Sequence, residues 1–212
     1  HHRSSAASDV YKRQDNVEYS MDYFNGKLIE FADALELNQF SLIGNSLGGA
    51  LSLGLSLNKP ERIKKLILMG SGGIEDMETY NSMPGIQKLL SDFLGGEMNQ
   101  EKIEGLLKLF PYDSSIITDE MIEDRMQILP LMNPQVLASM KIPNLEDDLG
   151  KITHPMLVFW GMDDKFCPVS GASKIGQKCH DAQIILFSRC GHWVMIEREE
   201  IFNQTCIDFL NR

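Results

Sequence analysis

The feature that most constrains this chain is Gly44-Asn45-Ser46-Leu47-Gly48, set between two segments of different period. Phe40 to Gly44 is a short apolar run, too short for a helix and read as a buried strand. Leu47 to Leu57 suits a helix, stopped by Asn58, Lys59 and Pro60. A serine between a strand and a helix must sit on a sharp turn, where larger neighbours at the glycine positions would clash. That turn lifts the Ser46 hydroxyl into a cleft and places it at a helix N-terminus, whose dipole favours developing negative charge. The backbone N–H of Leu47 then becomes one donor of an oxyanion site.

A serine hydroxyl is inert without a base. Past the first 14 residues the chain has three histidines, His154, His180 and His192. His154 precedes Pro155 at a strand start and His180 sits in a polar loop, so both read as bystanders. His192 lies in Arg189-Cys190-Gly191-His192-Trp193, just after an apolar run ending at Phe187. That is a loop at the C-terminal end of a strand, where α/β folds place their sites. The group that orients the imidazole should be an acid. Asp163 and Asp164 compete in the loop from Gly161 to Pro168, and the pattern G-x-x-D-x-x-x-P selects Asp164. The order Ser46, Asp164, His192 is that of α/β-hydrolases.

The surrounding pattern predicts an α/β fold, a mostly parallel sheet with helices on both faces. Residues 1–14 are polar and without period, and read as a non-native or disordered segment. Residues 15–75 form the first part of the core. Asp15 and Glu18 are spaced for a capping box, and Val17, Met21, Phe24, Leu28, Phe31 and Leu35 make an amphipathic stripe ending near Leu37. Lys65 to Met69 is a second buried strand. Residues 76–150 show helical patterns broken at prolines and glycines, with no convincing strand, and read as a helical lid. Residues 151–212 complete the core, with strands at Met156 to Trp160 and Ile184 to Phe187, a helix after Val169 and a final helix over Glu199 to Leu210.

Composition excludes several function classes. A net charge of -10 argues against a general nucleic-acid role, since phosphates want a basic surface. No apolar run approaches the roughly 20 residues of a membrane span. The four cysteines, Cys167, Cys179, Cys190 and Cys206, have no C-x-x-C spacing and read as reduced, partly buried thiols. No metal or cofactor is expected, and cytoplasm is the default location, with no signal peptide visible.

GNSLGGA at Gly44 to Ala50, LILMGSGG at Leu66 to Gly73, WGMDDKFCPV at Trp160 to Val169 and RCGHWVMIE at Arg189 to Glu197 resemble meta-cleavage product hydrolases, which hydrolyse carbon–carbon bonds in aromatic-ring degradation. Asn45 before the serine, together with CGHW at the histidine, is the more specific part. The resemblance implies a small anionic substrate of the 2-hydroxy-6-oxo-dienoate type. It also implies Phe166, Cys167 and Trp193 as pocket walls and Asn45 as a contact to the substrate's polar end. Arg125, the only arginine between Arg62 and Arg189, resembles the family's carboxylate-binding lid arginine, and a guanidinium fork suits a carboxylate. Ordinary loop packing, or a solvated helix arginine among nearby acids, accounts for the same residues. Seven of the 12 methionines fall in the 76–150 segment, as packing between helices or an adaptable apolar wall. A homodimer or larger homo-oligomer would suit the family.

The family's fold has further strands and a Gly-rich loop, with a second oxyanion donor, ahead of residue 15. The expectation is that they are missing, leaving a polypeptide with an exposed sheet edge that folds poorly and has little activity. A carboxylesterase using the same three residues is the alternative enzyme. A non-catalytic hydrolase-like binding protein or an inactive fragment is the alternative outside enzymes.

Overall fold

In a computed structural model of the chain, the described residues are 18–96, 98–131, 136 and 140–212. Residues 1–14 and Asp15 of the expected capping box lie outside them. Helix α1 (Met21–Ala34) is capped by Ser20, whose Oγ accepts the Tyr23 N–H at 3.2 Å. The buried positions of α1 are Met21, Asn25 and Ala32, whereas Phe31 and Leu35 of the expected stripe are more than half exposed. The inward face is set by the next helix, which presents Gly54 to Met21 and Asn25.

Strand β1 (Phe40–Asn45) runs through Ser46 into α2 (Leu47–Asn58), and β2 (Ile63–Met69) follows. The chain then forms helices α3 (Met77–Ser82), α4 (Pro84–Leu94), α5 (Gln100–Leu107) and α6 (Asp119–Ile128), with no strand among the described residues of this stretch. Pro84, which was expected to break a helix, instead begins α4, where its missing N–H would have had no partner. Strand β3 (Met156–Gly161), helix α7 (Ser170–Lys178), strand β4 (Ala182–Phe187), and helices α8 (Val194–Glu197) and α9 (Glu199–Leu210) complete the chain.

The four strands pair in parallel in the order β1-β2-β3-β4. Side chains alternate across the sheet with a period of two. Leu66, Leu68, Met156, Val158 and Trp160 face a core shared with Leu53 and Leu55 of α2 and Ala172 and Ile175 of α7. Ile67, Met69, Leu157 and Phe159 face the other side, against Val194, Phe202, Cys206 and Phe209. Every residue of β3 is buried, as its unbroken apolar run requires. β1 was also expected to be buried, yet it lies at the sheet edge among the described residues, and Ile43 is 53% exposed. A third cluster joins Ile103 and Leu107 of α5 and Ile122 of α6 to Trp193.

Candidate active site

Parallel pairing brings the four C-terminal strand ends to one level, with Asn45 opposite Met69, Met69 opposite Phe159 and Gly161 opposite Phe187. The loops leaving that edge carry Ser46, Gly70, Asp164 and His192. Ser46 has φ 57° and ψ -116°, a left-handed conformation that an L residue adopts only under constraint. The constraint is visible. The Ser46 N–H donates to the Met69 carbonyl at 3.0 Å, and the Ser46 carbonyl accepts the N–H groups of Gly49, Ala50 and Gly72. A Cβ on Gly44 would lie 2.3 Å from the Gly48 carbonyl oxygen, so strand and helix can meet this closely only with glycine there. Leu47 is the first residue of α2, where backbone N–H groups have no carbonyl one turn back.

Asp164 and His192 form a buried pair. His192 Nδ1 donates to Asp164 Oδ2 at 2.7 Å, and both side chains are about 1% exposed. Asp164 Oδ1 accepts the N–H groups of Phe166 at 2.8 Å and Cys167 at 2.9 Å, so its own loop fixes the carboxylate. Asp163 is exposed, and among the described residues its hydrogen bond is from its backbone N–H to the Cys190 carbonyl. With the proton on Nδ1, His192 Nε2 is an acceptor. That nitrogen is buried and has no hydrogen-bond partner among the described residues. A buried polar atom without a partner costs about 1–3 kcal/mol, which marks this as a place where a proton donor belongs. His154 binds the Pro60 carbonyl and His180 is exposed.

Two residues of this arrangement were not singled out from the sequence. Gly70, directly after β2, has φ +47°, and a Cβ there would lie 2.7 Å from Asp164 Oδ2 and 2.9 Å from His192 Nδ1. Its place between the Ser46 and Asp164 strands was a readable signal, since glycine is what leaves room under a side-chain pair. Phe110, between α5 and α6, stacks on Phe166 at 4.1 Å and on Trp193 at 4.6 Å, with its ring centre 5.7 Å from that of His192. Its carbonyl accepts the His192 N–H at 2.7 Å. No local pattern marks it.

Of the expected pocket residues, Phe166 and Trp193 are buried in this stack, whereas Cys167 is buried in the core that contains Trp160. Burial, and next the Asp164 charge, push the Cys167 thiol well above its usual range, with the Ser46 hydroxyl acting the other way. The four cysteines are all free and buried. The Asn45 amide nitrogen donates to the carbonyls of Met69 at 3.0 Å and His192 at 3.2 Å, so it ties the end of β1 to the histidine loop. Arg125 is not brought to the pair. It is exposed on α6, while Ile122 of that helix packs with Trp193, and it has no ion pair among the described residues.

A parallel sheet that runs into a strained serine turn and delivers an acid and a histidine to the same edge is the α/β-hydrolase fold. The family model described as serine aminopeptidase, S33, matches residues 18–199. The chain is 38% identical to a 2-hydroxy-6-oxo-6-phenylhexa-2,4-dienoate hydrolase of Burkholderia cepacia, across 84% of this chain and 65% of that protein. It is 30% identical to a 2-hydroxy-6-oxo-2,4-heptadienoate hydrolase of Pseudomonas putida, across 99% and 79%. A solved meta-cleavage product hydrolase from Pseudomonas fluorescens IP01 superposes with a TM-score of 0.80 at 27% identity, over 94% of this chain and 75% of that one. The chain belongs to the meta-cleavage product hydrolases, a branch of the α/β-hydrolases. It spans 65% of the length of several curated relatives. No described helix is long and apolar enough to cross a membrane.

Proposed function

We propose that Ser46, His192 and Asp164 act together as a serine-centred triad that hydrolyses a carbon–carbon bond in a 2-hydroxy-6-oxo-dienoate. The observation that carries this reading is the His192 imidazole, held at Nδ1 by Asp164 with Nε2 buried and without a hydrogen-bond partner among the described residues. Asp164 keeps the proton on Nδ1 and stabilises the imidazolium when Nε2 takes a second proton. Nε2 is the base that activates Ser46 or a water for attack on the distal ketone, and the Leu47 N–H faces the oxyanion that forms. Before that attack, a proton reaches the dienolate carbon and converts it to a ketone. Water is then divided across the broken bond. Its hydroxyl ends on the distal carbonyl carbon as a carboxylic acid, the electron pair of the broken bond passes through the leaving fragment to its 2-oxygen, and water's proton ends on that oxygen, giving the 2-hydroxydienoate.

Residues 76–150 serve as the lid in this reading, flanked by core segments 15–75 and 151–212. Phe110, Phe166 and Trp193 supply an apolar roof, and Cys167 lines the site beside Ser46. Asn45 approaches the substrate's polar end with the part of its amide not spent on the backbone. Arg125 is assigned to the substrate carboxylate, with the lid helix carrying it. A cytoplasmic enzyme acting as a homo-oligomer on a free small-molecule anion completes the reading.

The test is bleaching of a coloured 2-hydroxy-6-oxo-dienoate by the wild-type chain, Ser46→Ala and Asp164→Asn. Loss of about 10⁴-fold or more is expected in each variant. Turnover that survives Ser46→Ala would reject the triad. Faster hydrolysis of simple aryl esters than of the dienoate would move the chain to the carboxylesterases.

A further inference from the structure

Glu197 ends α8, five residues beyond His192, and its carboxylate faces two separate stretches of backbone. Oε1 accepts the Gly191 N–H at 2.9 Å, and Oε2 accepts it at 3.1 Å. Oε2 also accepts the Tyr112 N–H at 2.8 Å. Gly191 is the residue before His192, and Tyr112 lies two beyond Phe110. The same two stretches meet a second time where the His192 N–H donates to the Phe110 carbonyl at 2.7 Å. Residues 110–112 and 191–192 are therefore cross-linked by one side chain and one backbone bond.

The clamp is itself held. The Arg198 guanidinium donates to the carbonyls of Glu197, Ser188 and Arg189 at 2.6, 2.9 and 2.6 Å, which closes the whole loop from β4 to α8. Nearby, burial and then the Glu197 charge push the Cys190 thiol up to about 12. A carboxylate is suited to this position because it is acceptor-only, and its bonds to N–H groups are charge-assisted. An amide would present its own N–H₂ to one of these donors.

We infer that Glu197 is a positioning residue, coupling the loop that carries His192 to the turn that carries Phe110. Releasing the clamp moves the imidazole and its aromatic cover together. The functional half of this inference rests on His192 serving Ser46, as proposed above.

The experiment combines hydrogen exchange over residues 108–113 and 188–193 with timed labelling of Ser46 by a fluorophosphonate. Both are applied to the wild-type chain, Glu197→Ala and Glu197→Gln. In Glu197→Ala both stretches should exchange at least about ten-fold faster while β2 and β3 keep their protection, and Ser46 labelling should slow about ten-fold or more. Glu197→Gln, which keeps one acceptor oxygen, should fall between, and it decides the question by the same readouts if Glu197→Ala does not fold. Protection retained in either stretch overturns the coupling. A uniform rise that includes β2 and β3 does so too, because it marks a merely structural role. Both stretches opening with labelling unchanged overturns the positioning. A wild-type chain that does not label at Ser46 rejects the serine reading instead, and the exchange readout still decides the coupling.

Discussion

Gly70→Ala tests whether the Asp164–His192 pair is as tightly housed as its geometry implies. The new Cβ would lie 2.7 Å from Asp164 Oδ2, 2.9 Å from His192 Nδ1 and 3.1 Å from His192 Cε1. Carbon is comfortable at about 3.5–4.0 Å from its neighbours, so the pair must retreat by about 1 Å. The two atoms nearest the methyl group are the two that share the 2.7 Å hydrogen bond. Their displacement leaves buried polar groups poorly satisfied, at about 1–3 kcal/mol. Holding alanine at φ +47° adds about 1–2 kcal/mol. The expected loss is about 2–5 kcal/mol in urea unfolding followed by tryptophan fluorescence. A displacement of about 1 Å in a catalytic group is worth about 10² in rate, so fluorophosphonate labelling of Ser46 should slow about 100-fold. An unchanged urea midpoint with labelling within about three-fold of wild type would refute the steric argument. Lost stability with normal labelling would instead show that the pair does not serve Ser46.

Three further outcomes are expected. Gly26→Ala, in the middle of α1 with nothing among the described residues within 4 Å of the added carbon, should raise stability by about 0.5–1 kcal/mol and the Tm with it. Tyr80 accepts the N–H groups of Ile74 and Glu75 through its hydroxyl, and burial pushes its pKa up to about 12. The unfolded chain loses that proton near pH 10, so this group's contribution is complete below about 10 and falls as pH rises toward 12. Absorbance titration should show Tyr80 ionising late, and Tyr80→Phe should cost about 1–2 kcal/mol at neutral pH while removing that alkaline decline. Asp76 caps α3, and the Thr79 N–H holds its carboxyl below the ordinary 3.8. Its contribution is therefore present above about pH 4 and lost as pH falls through the lower folded value. Asp76→Asn keeps a capping oxygen and should flatten the acid limb of urea midpoints measured from pH 5 to pH 2.

What the sequence determined by itself is what depends on near neighbours. The Ser46 turn is legible because strand, serine, glycines and helix occur within about twenty residues and the steric demand is local. The β3 run and α9 are legible because their apolar patterns match one period each. The histidine and acid loops are legible because each follows a strand directly. Tertiary structure decided the rest. It chose which face of α1 is inward through Gly54, and among the described residues it gave β1 a strand neighbour on one side only, a property of neighbours rather than of the strand's own residues. It spent the Asn45 amide nitrogen on two carbonyls, one of them 147 residues away. It brought Phe110 and Tyr112 across 82 and 85 residues to His192 and Glu197 respectively. Periodicity records which side of an element is apolar. It carries no information about which distant atom will meet that side, because such contacts arise only when the layers pack and each buried donor must find an acceptor.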